Sequence, residues 1–313
     1  MKAPRSSVYY SICSTCDRIA ADSRAMKSPP FQWQHYLTLT RLNRPIGIYL
    51  LLWPTLSALW IAAEGWPGWH LFLVFTLGTI LTRSAGCVVN DLTDQKFDGQ
   101  VRRTQDRVLA TGDVDSLEAA ILAGGLTFMA LLLVLTTNLL TVALSAGAVL
   151  VAIIYPFMKR VTYLPQAVLG IAFSMGIPMA FSATTGSVDN IAWLLVIANL
   201  LWVVAYDTQY AMVDRDDDLK LGLKSTAILF ADLDRHMIGL LQLMFLLTLV
   251  LAGHNLGFSI WYFCGLAIAA ALLVYQHQLT WQRSRVGCFK AFLNNHWVGL
   301  AIFAGIGSHY LLT

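Results

Sequence analysis

Two polar segments interrupt an otherwise apolar chain. The first reads Asn90-Asp91-Leu92-Thr93-Asp94-Gln95-Lys96-Phe97-Asp98. The second reads Asp207-Thr208-Gln209-Tyr210-Ala211-Met212-Val213-Asp214-Arg215-Asp216-Asp217-Asp218. At helical spacing Asn90, Asp94 and Asp98 fall on one face, and Tyr210, Asp214 and Asp218 fall on another. Asp91 and Asp207 are offset from those faces. Neighbouring carboxylates about 6 Å apart repel by roughly 3 kcal/mol at an effective dielectric of about 20. Two such rows facing each other need cations between them. Hard divalent ions take oxygen ligands, and Mg²⁺ binds one or two carboxylates together with phosphate oxygens. The pattern therefore points to a Mg²⁺-bridged diphosphate site.

A diphosphate leaving group gathers negative charge as its bond to carbon breaks, so fixed cations must surround it. The sequence supplies them. Lys96, Arg103 and Arg107 follow the first motif, and Lys220 and Lys224 follow the second. Arg41 and Arg44 precede the first apolar run, and Lys159-Arg160 end the fourth. Arg83 lies inside an apolar run, where an Arg ordinarily faces a polar interior. The seven His residues share no ligand spacing. No Walker A motif, dinucleotide fingerprint or Ser-His-Asp arrangement is present. Cys13-x-x-Cys16 has no second Cys/His pair to complete a metal site, and five cysteines make no disulfide framework.

The elements that hold these groups follow from composition. Of 313 residues, 57% are hydrophobic and 12% charged, against about 25% charged in a soluble domain. The mean hydropathy is +0.61. A disordered chain is excluded, and so is a nucleic-acid binder held by basic patches. A spanning helix needs about 20 apolar residues. Nine runs qualify, near 45–63, 70–89, 117–136, 139–157, 165–183, 190–212, 237–254, 258–277 and 292–312. No segment alternates with period two, so the expected class is an all-α polytopic membrane protein of about nine helices. Every Lys and Arg except Arg83 lies in the N-terminal stretch or in alternate loops, and the remaining loops and the C-terminus hold none. This bias places the N-terminus and the motif loops in the cytoplasm and the C-terminus on the far side. Residues 1–28 are polar and lack an apolar signal core. They read as a disordered extension to a single membrane domain over 29–313.

With these residues in view, the chain resembles the UbiA superfamily of intramembrane prenyltransferases, in its 4-hydroxybenzoate polyprenyltransferase branch. The resemblance runs from Leu39 nearly to the C-terminus. It is carried by Arg44-Pro45-Ile46-Gly47, by Gly86-Cys87-Val88-Val89-Asn90-Asp91 with Asp94 and Asp98, and by Tyr155-Pro156-Phe157-Met158-Lys159-Arg160. It continues through Ala205 to Phe230, with Asp214-Arg215-Asp216-Asp217-Asp218 and Lys224-Ser225-Thr226. One departure is Arg107-Val108-Leu109, where the family usually has Arg-Pro-Leu.

The resemblance implies nine helices around a central cavity capped by the motif loops. It implies transfer of a polyprenyl chain, octaprenyl in the closest reading, from its diphosphate to 4-hydroxybenzoate in ubiquinone biosynthesis. It implies Mg²⁺ on Asn90, Asp94, Asp98, Asp214 and Asp218, with Asp94 and Asp214 also central to catalysis. Arg103, Arg107, Lys224 and Tyr210 are expected at the diphosphate. Asp91 or Asp207 is expected as the base. Arg160 is expected at the benzoate carboxylate, with Arg44 and Arg83 as alternatives. The implied partners are polyprenyl diphosphate, 4-hydroxybenzoate and membrane lipid, without nucleic acid. The implied location is a bacterial inner membrane, or otherwise the mitochondrial inner membrane. Rival readings are the same chemistry on another aromatic acceptor, or a cation-coupled transporter. A transporter ordinarily carries such charges near the midplane, whereas here they sit at span ends.

Overall fold

The structure is a computed structural model that describes residues 33–100 and 103–313, and of Lys96 and Phe97 the backbone alone. The extension expected over 1–28, with Cys13 and Cys16, lies outside the described residues. Among the described residues thirteen α-helices follow one another. A short α1 (Trp33–Leu39) precedes α2 (Ile46–Ala62) and α3 (Trp69–Asp98). Then come α4 (Val108–Thr111), α5 (Ser116–Val134), α6 (Leu139–Val161), α7 (Pro165–Ser174) and α8 (Gly176–Thr185). The chain continues through α9 (Asn190–Leu221), α10 (Thr226–Phe230), α11 (Asp234–Asn255), α12 (Ile260–Leu279) and α13 (Arg285–Leu312). The described residues contain no strand, as the sequence pattern requires.

Against the expected nine spans, seven stretches among the described residues are both long and apolar enough to cross a membrane. The helix over Ile46–Ala62 is apolar but shorter. The last helix opens on Arg285 and Lys290, which lie outside the 292–312 run. The span expected over 165–183 is split between α7 and α8. Pro178 explains the split, because it lacks the N–H that would bond the Ser174 carbonyl one turn back and its ring crowds that carbonyl. Gly176 follows the break, and a Cβ there would meet Thr55 of α2, with Cγ2 at 3.2 Å.

Packing sorts helices that hydropathy alone cannot. Of the most apolar stretch of α9, 61% is buried inside the protein, against 11% for α6. α9 is the central helix and packs on α7, α11 and α13. Its neighbours close a core that includes Leu50, Leu59, Trp202, Tyr206, Phe245 and Val298. The outer faces carry large exposed apolar side chains such as Leu139, Leu117, Ile121 and Ile260. That inversion suits a hydrocarbon solvent.

Two helices outrun the bilayer. α3 has 30 residues and α9 has 32. At 1.5 Å per residue each is about 45 Å long, against about 30 Å of hydrocarbon. Their C-terminal turns carry the two acidic motifs. α9 ends at Gly222, whose φ of 68° is left-handed and suits a residue without Cβ. The turn there brings the next segment back against α6, where the Lys224 N–H donates to the Lys159 carbonyl at 2.8 Å.

Candidate active site

The ends of α3 and α9 meet around one cavity of about 150 Å³. Asn90, Asp94 and Asp98 line it from α3, and Asp207, Tyr210, Asp214 and Asp218 from α9. Arg103 and Arg107 reach in from the connection after α3, Tyr155 and Lys159 from α6, and Lys224 and Ser225 from the segment after α9. Both helical faces read from the four-residue spacing thus turn toward each other.

Cations occupy the space between them. Arg103 Nε donates to both Asp214 oxygens at 3.0 and 2.9 Å, and its Nη2 donates to Oδ2 at 2.6 Å. The same guanidinium lies 4.6 Å from the Tyr210 ring centroid. Lys159 Nζ sits 2.5 Å from Asp94 Oδ2. Arg107 Nη1 sits 2.7 Å from Asp98 Oδ2. Burial pushes the Asp98 carboxyl above its ordinary range, and the Arg107 charge and hydrogen bond pull it back only in part. Lys224 Nζ donates to the Val161 carbonyl at 3.0 Å, and it stands over the Tyr163 ring.

Among the described residues, no three His, Cys, Asp or Glu groups are gathered tightly enough to hold an ion by themselves. The donor set still fits a hard cation that shares its shell with phosphate. The cavity wall offers carboxylate oxygens and the Asn90 amide, and Asn90 Nδ2 already donates to Asp94 Oδ2 at 3.3 Å. Among the described residues, Asp94 Oδ1 is buried with no hydrogen-bond partner. An unsatisfied buried carboxylate oxygen is costly unless something binds it.

Four expected residues are not on the cavity wall. Asp91 is buried behind it, paired to Arg41 and Arg107. Arg44 is exposed on the link between α1 and α2. It is Arg41, three residues earlier, that reaches the first motif. Arg160 is also exposed, donates to the Thr93 carbonyl at 2.8 Å, and lies 3.8 Å from Asp94 Oδ1. Arg83 lies two turns deeper on α3 than Asn90. Its Nε is buried with no hydrogen-bond partner among the described residues, and its guanidinium stands 5.6 Å from the Phe173 ring centroid. Sequence reasoning named Lys159 only as half of a basic pair and passed over Tyr155 as a site residue. Their spacing of four puts them on one face of α6, and that was the available signal.

The signature of the UbiA prenyltransferase family matches residues 51–299. A 4-hydroxybenzoate octaprenyltransferase of Pseudomonas fluorescens is 57% identical over 283 residues, covering 90% of this chain and 95% of its own. The apo structure of a UbiA homolog from Aeropyrum pernix K1 superposes with a TM-score of 0.74 at 23% identity, covering 83% of this chain and 96% of the other. A UbiA homolog from Archaeoglobus fulgidus bound to GPP and Mg²⁺ superposes with a TM-score of 0.63 at 14% identity, covering 89% of this chain and 100% of the other. At those identities the two structures speak to the fold.

Proposed function

The chain belongs to the UbiA prenyltransferase family, and from that premise we propose that it transfers an octaprenyl chain from its diphosphate to 4-hydroxybenzoate. The new bond forms at the ring carbon ortho to the hydroxyl, giving 3-octaprenyl-4-hydroxybenzoate for ubiquinone biosynthesis. The name of the Pseudomonas relative supports the acceptor and the chain length. The observation that carries the reading is the convergence of two acidic helix ends and four cationic side chains on one cavity at the end of the apolar spans.

Asn90, Asp94 and Asp98 on one wall and Asp214 and Asp218 on the other would hold Mg²⁺. Bound there, the metal supplies charge neutralisation for the diphosphate as it leaves. Arg103, Arg107, Lys159 and Lys224 turn N–H donors toward the same oxygens. Each now rests on a carboxylate or a carbonyl, and an entering diphosphate competes for it. The allylic C–O bond breaks and diphosphate departs. The ring, activated by its para hydroxyl, attacks the allylic carbon. The displaced ring proton passes to a carboxylate. Asp207 suits that role, because it is buried on the cavity wall with no cation paired to it among the described residues, whereas Asp91 is paired twice. Arg83 suits the benzoate carboxylate better than Arg160 or Arg44. Its Nε is buried and unpartnered, and an Arg fork matches a planar carboxylate. The apolar tail lies among the helices and in lipid, and the site's mouth faces the cytoplasm.

The test uses membranes containing the protein, radiolabelled 4-hydroxybenzoate and octaprenyl diphosphate, with Mg²⁺ or with EDTA. Label should enter the lipid phase with Mg²⁺ and stay in water with EDTA. Transfer to another aromatic acid in preference to 4-hydroxybenzoate would overturn the acceptor. Cation flux without any transfer would overturn the reaction.

A further inference from the structure

Asp91 belongs to the first motif, yet it faces away from the cavity. Its carboxylate is 2% exposed and sits between two guanidiniums. Arg41 Nη2 donates to Oδ2 at 2.7 Å and to Oδ1 at 3.0 Å. Arg107 Nη1 lies 2.9 Å from Oδ1, and the same nitrogen lies 2.7 Å from Asp98 Oδ2. Only Arg107 and Asp98 of these four reach the cavity. Arg41 is itself held in an uncommon place. Its φ is 59°, in the left-handed region that side chains rarely adopt. Its Nη1 donates to the Thr38 carbonyl at 2.9 Å.

Alternating charges in the order Arg41, Asp91, Arg107, Asp98 make a neutral chain whose two carboxylates are buried. Taking out one member strands its neighbours, because a buried charge is tolerable only when paired. Asp91 has no free oxygen turned to the reacting atoms. What it does hold is the orientation of Arg107, whose guanidinium also lines the cavity. We propose that Asp91 is a positioning residue, the fixed point of an Arg41–Asp91–Arg107 clamp that sets the Arg107 guanidinium at the diphosphate end of the cavity. This rests on the reading of that cavity as a prenyl diphosphate site.

The experiment uses the full chain, purified in detergent, and reads two quantities. One is the Kd for Mg²⁺ with inorganic pyrophosphate. The other is the split of KM and kcat in octaprenyl transfer. Asp91→Asn should raise the pyrophosphate Kd and the KM for octaprenyl diphosphate by about tenfold or more, as losing the partner that orients a binding group commonly does. The KM for 4-hydroxybenzoate should hold. Arg41→Gln should do the same more weakly, with Arg41→Lys restoring part of the loss. Arg41 joins the clamp from a loop, so its variants read the clamp even where Asp91→Asn does not fold. Adding Asp91→Asn to Arg107→Gln should cost nothing further. An additive loss would overturn the clamp. So would Asp91→Asn or Arg41→Gln variants that bind pyrophosphate as the wild type does, or an Asp91→Asn that loses kcat alone and so acts in the chemistry. A wild type that binds pyrophosphate but prenylates no 4-hydroxybenzoate would remove the proposed acceptor and leave the clamp standing.

Discussion

Gly47 shows how a single missing side chain can set a site. It lies in α2 against Arg83, and a Cβ at that position would come within 2.6 Å of Arg83 Nη2. The guanidinium is the movable end of a flexible side chain, so Arg83 would give way before the backbone does. Gly47→Ala should therefore fold normally and displace Arg83. The KM for 4-hydroxybenzoate is expected to rise about tenfold, since small misplacements of a positioning group carry large costs, while the KM for octaprenyl diphosphate stays put. Steady-state kinetics with each substrate varied in turn checks this. Asp214→Asn isolates charge at the other wall. The amide keeps the shape but loses the partner that grips Arg103 with three hydrogen bonds. Turnover should fall on the order of 10²-fold or more, with little change in 4-hydroxybenzoate binding by equilibrium dialysis. At this scale the motif faces were legible, because Asn90, Asp94 and Asp98 repeat with the helix itself. The pairing of Arg103 with Asp214 was not. A cation in a connection can reach any wall, and no periodicity records which one the chain path selects. The same holds for Arg41, which a loop carries to Asp91 in place of the expected Arg44.

Elements add constraints that no motif announces. The second motif lies on α9, and the rotation of α9 decides whether Asp207 and Asp214 face the cavity. A buried amide network fixes that rotation. Gln209 Nε2 and Gln242 Nε2 both donate to Gln276 Oε1, at 3.0 and 3.2 Å. Gln276 Nε2 donates to Asn294 Oδ1 at 3.1 Å. Asn295 Nδ2 donates to Gln209 Oε1 at 3.0 Å, and Trp202 Nε1 donates to Asn295 Oδ1 at 3.0 Å. The network ties α9 to α11, α12 and α13. Gln276→Leu would leave two donors and an acceptor unpaired in an apolar interior. A stability loss of about 2 kcal/mol is expected from the buried unpaired groups, read as a lower Tm in detergent. Gln276→Glu should not rescue it, because it replaces the donor to Asn294 with an acceptor. The sequence shows these amides only as isolated polar residues in separate apolar runs. Their partners lie far along the chain, so helix positions were legible and helix rotations were not. The break at Ser174 to Gly176 was readable in principle from Pro178, although hydropathy averages over it.

The whole molecule is polarised along one axis. α3 and α9 both extend past the apolar slab at the same end, and every cation that lines the cavity lies at that end. Of the 21 Lys and Arg, all but Arg83 fall in the N-terminal stretch or in the loops and helix ends between alternate apolar runs. Such a bias orients a chain during insertion, because basic loops resist translocation. The consequence is directional. The cavity should open to the cytoplasm, where a water-soluble aromatic acid and Mg²⁺ are at hand, while the prenyl tail arrives from lipid. An odd number of crossings then puts Thr313 on the opposite face from Trp33. Alkaline phosphatase fused after Thr313 should be active in intact cells, and green fluorescent protein fused there should be dark. The same reporters inserted after Asp113, beside the first motif, should give the reverse pattern. Matching signals at both positions would require an even number of crossings between them, with α13, which starts on charged residues, the element that fails to cross. Opposite signals at both would turn the molecule over and put the diphosphate site outside the cytoplasm.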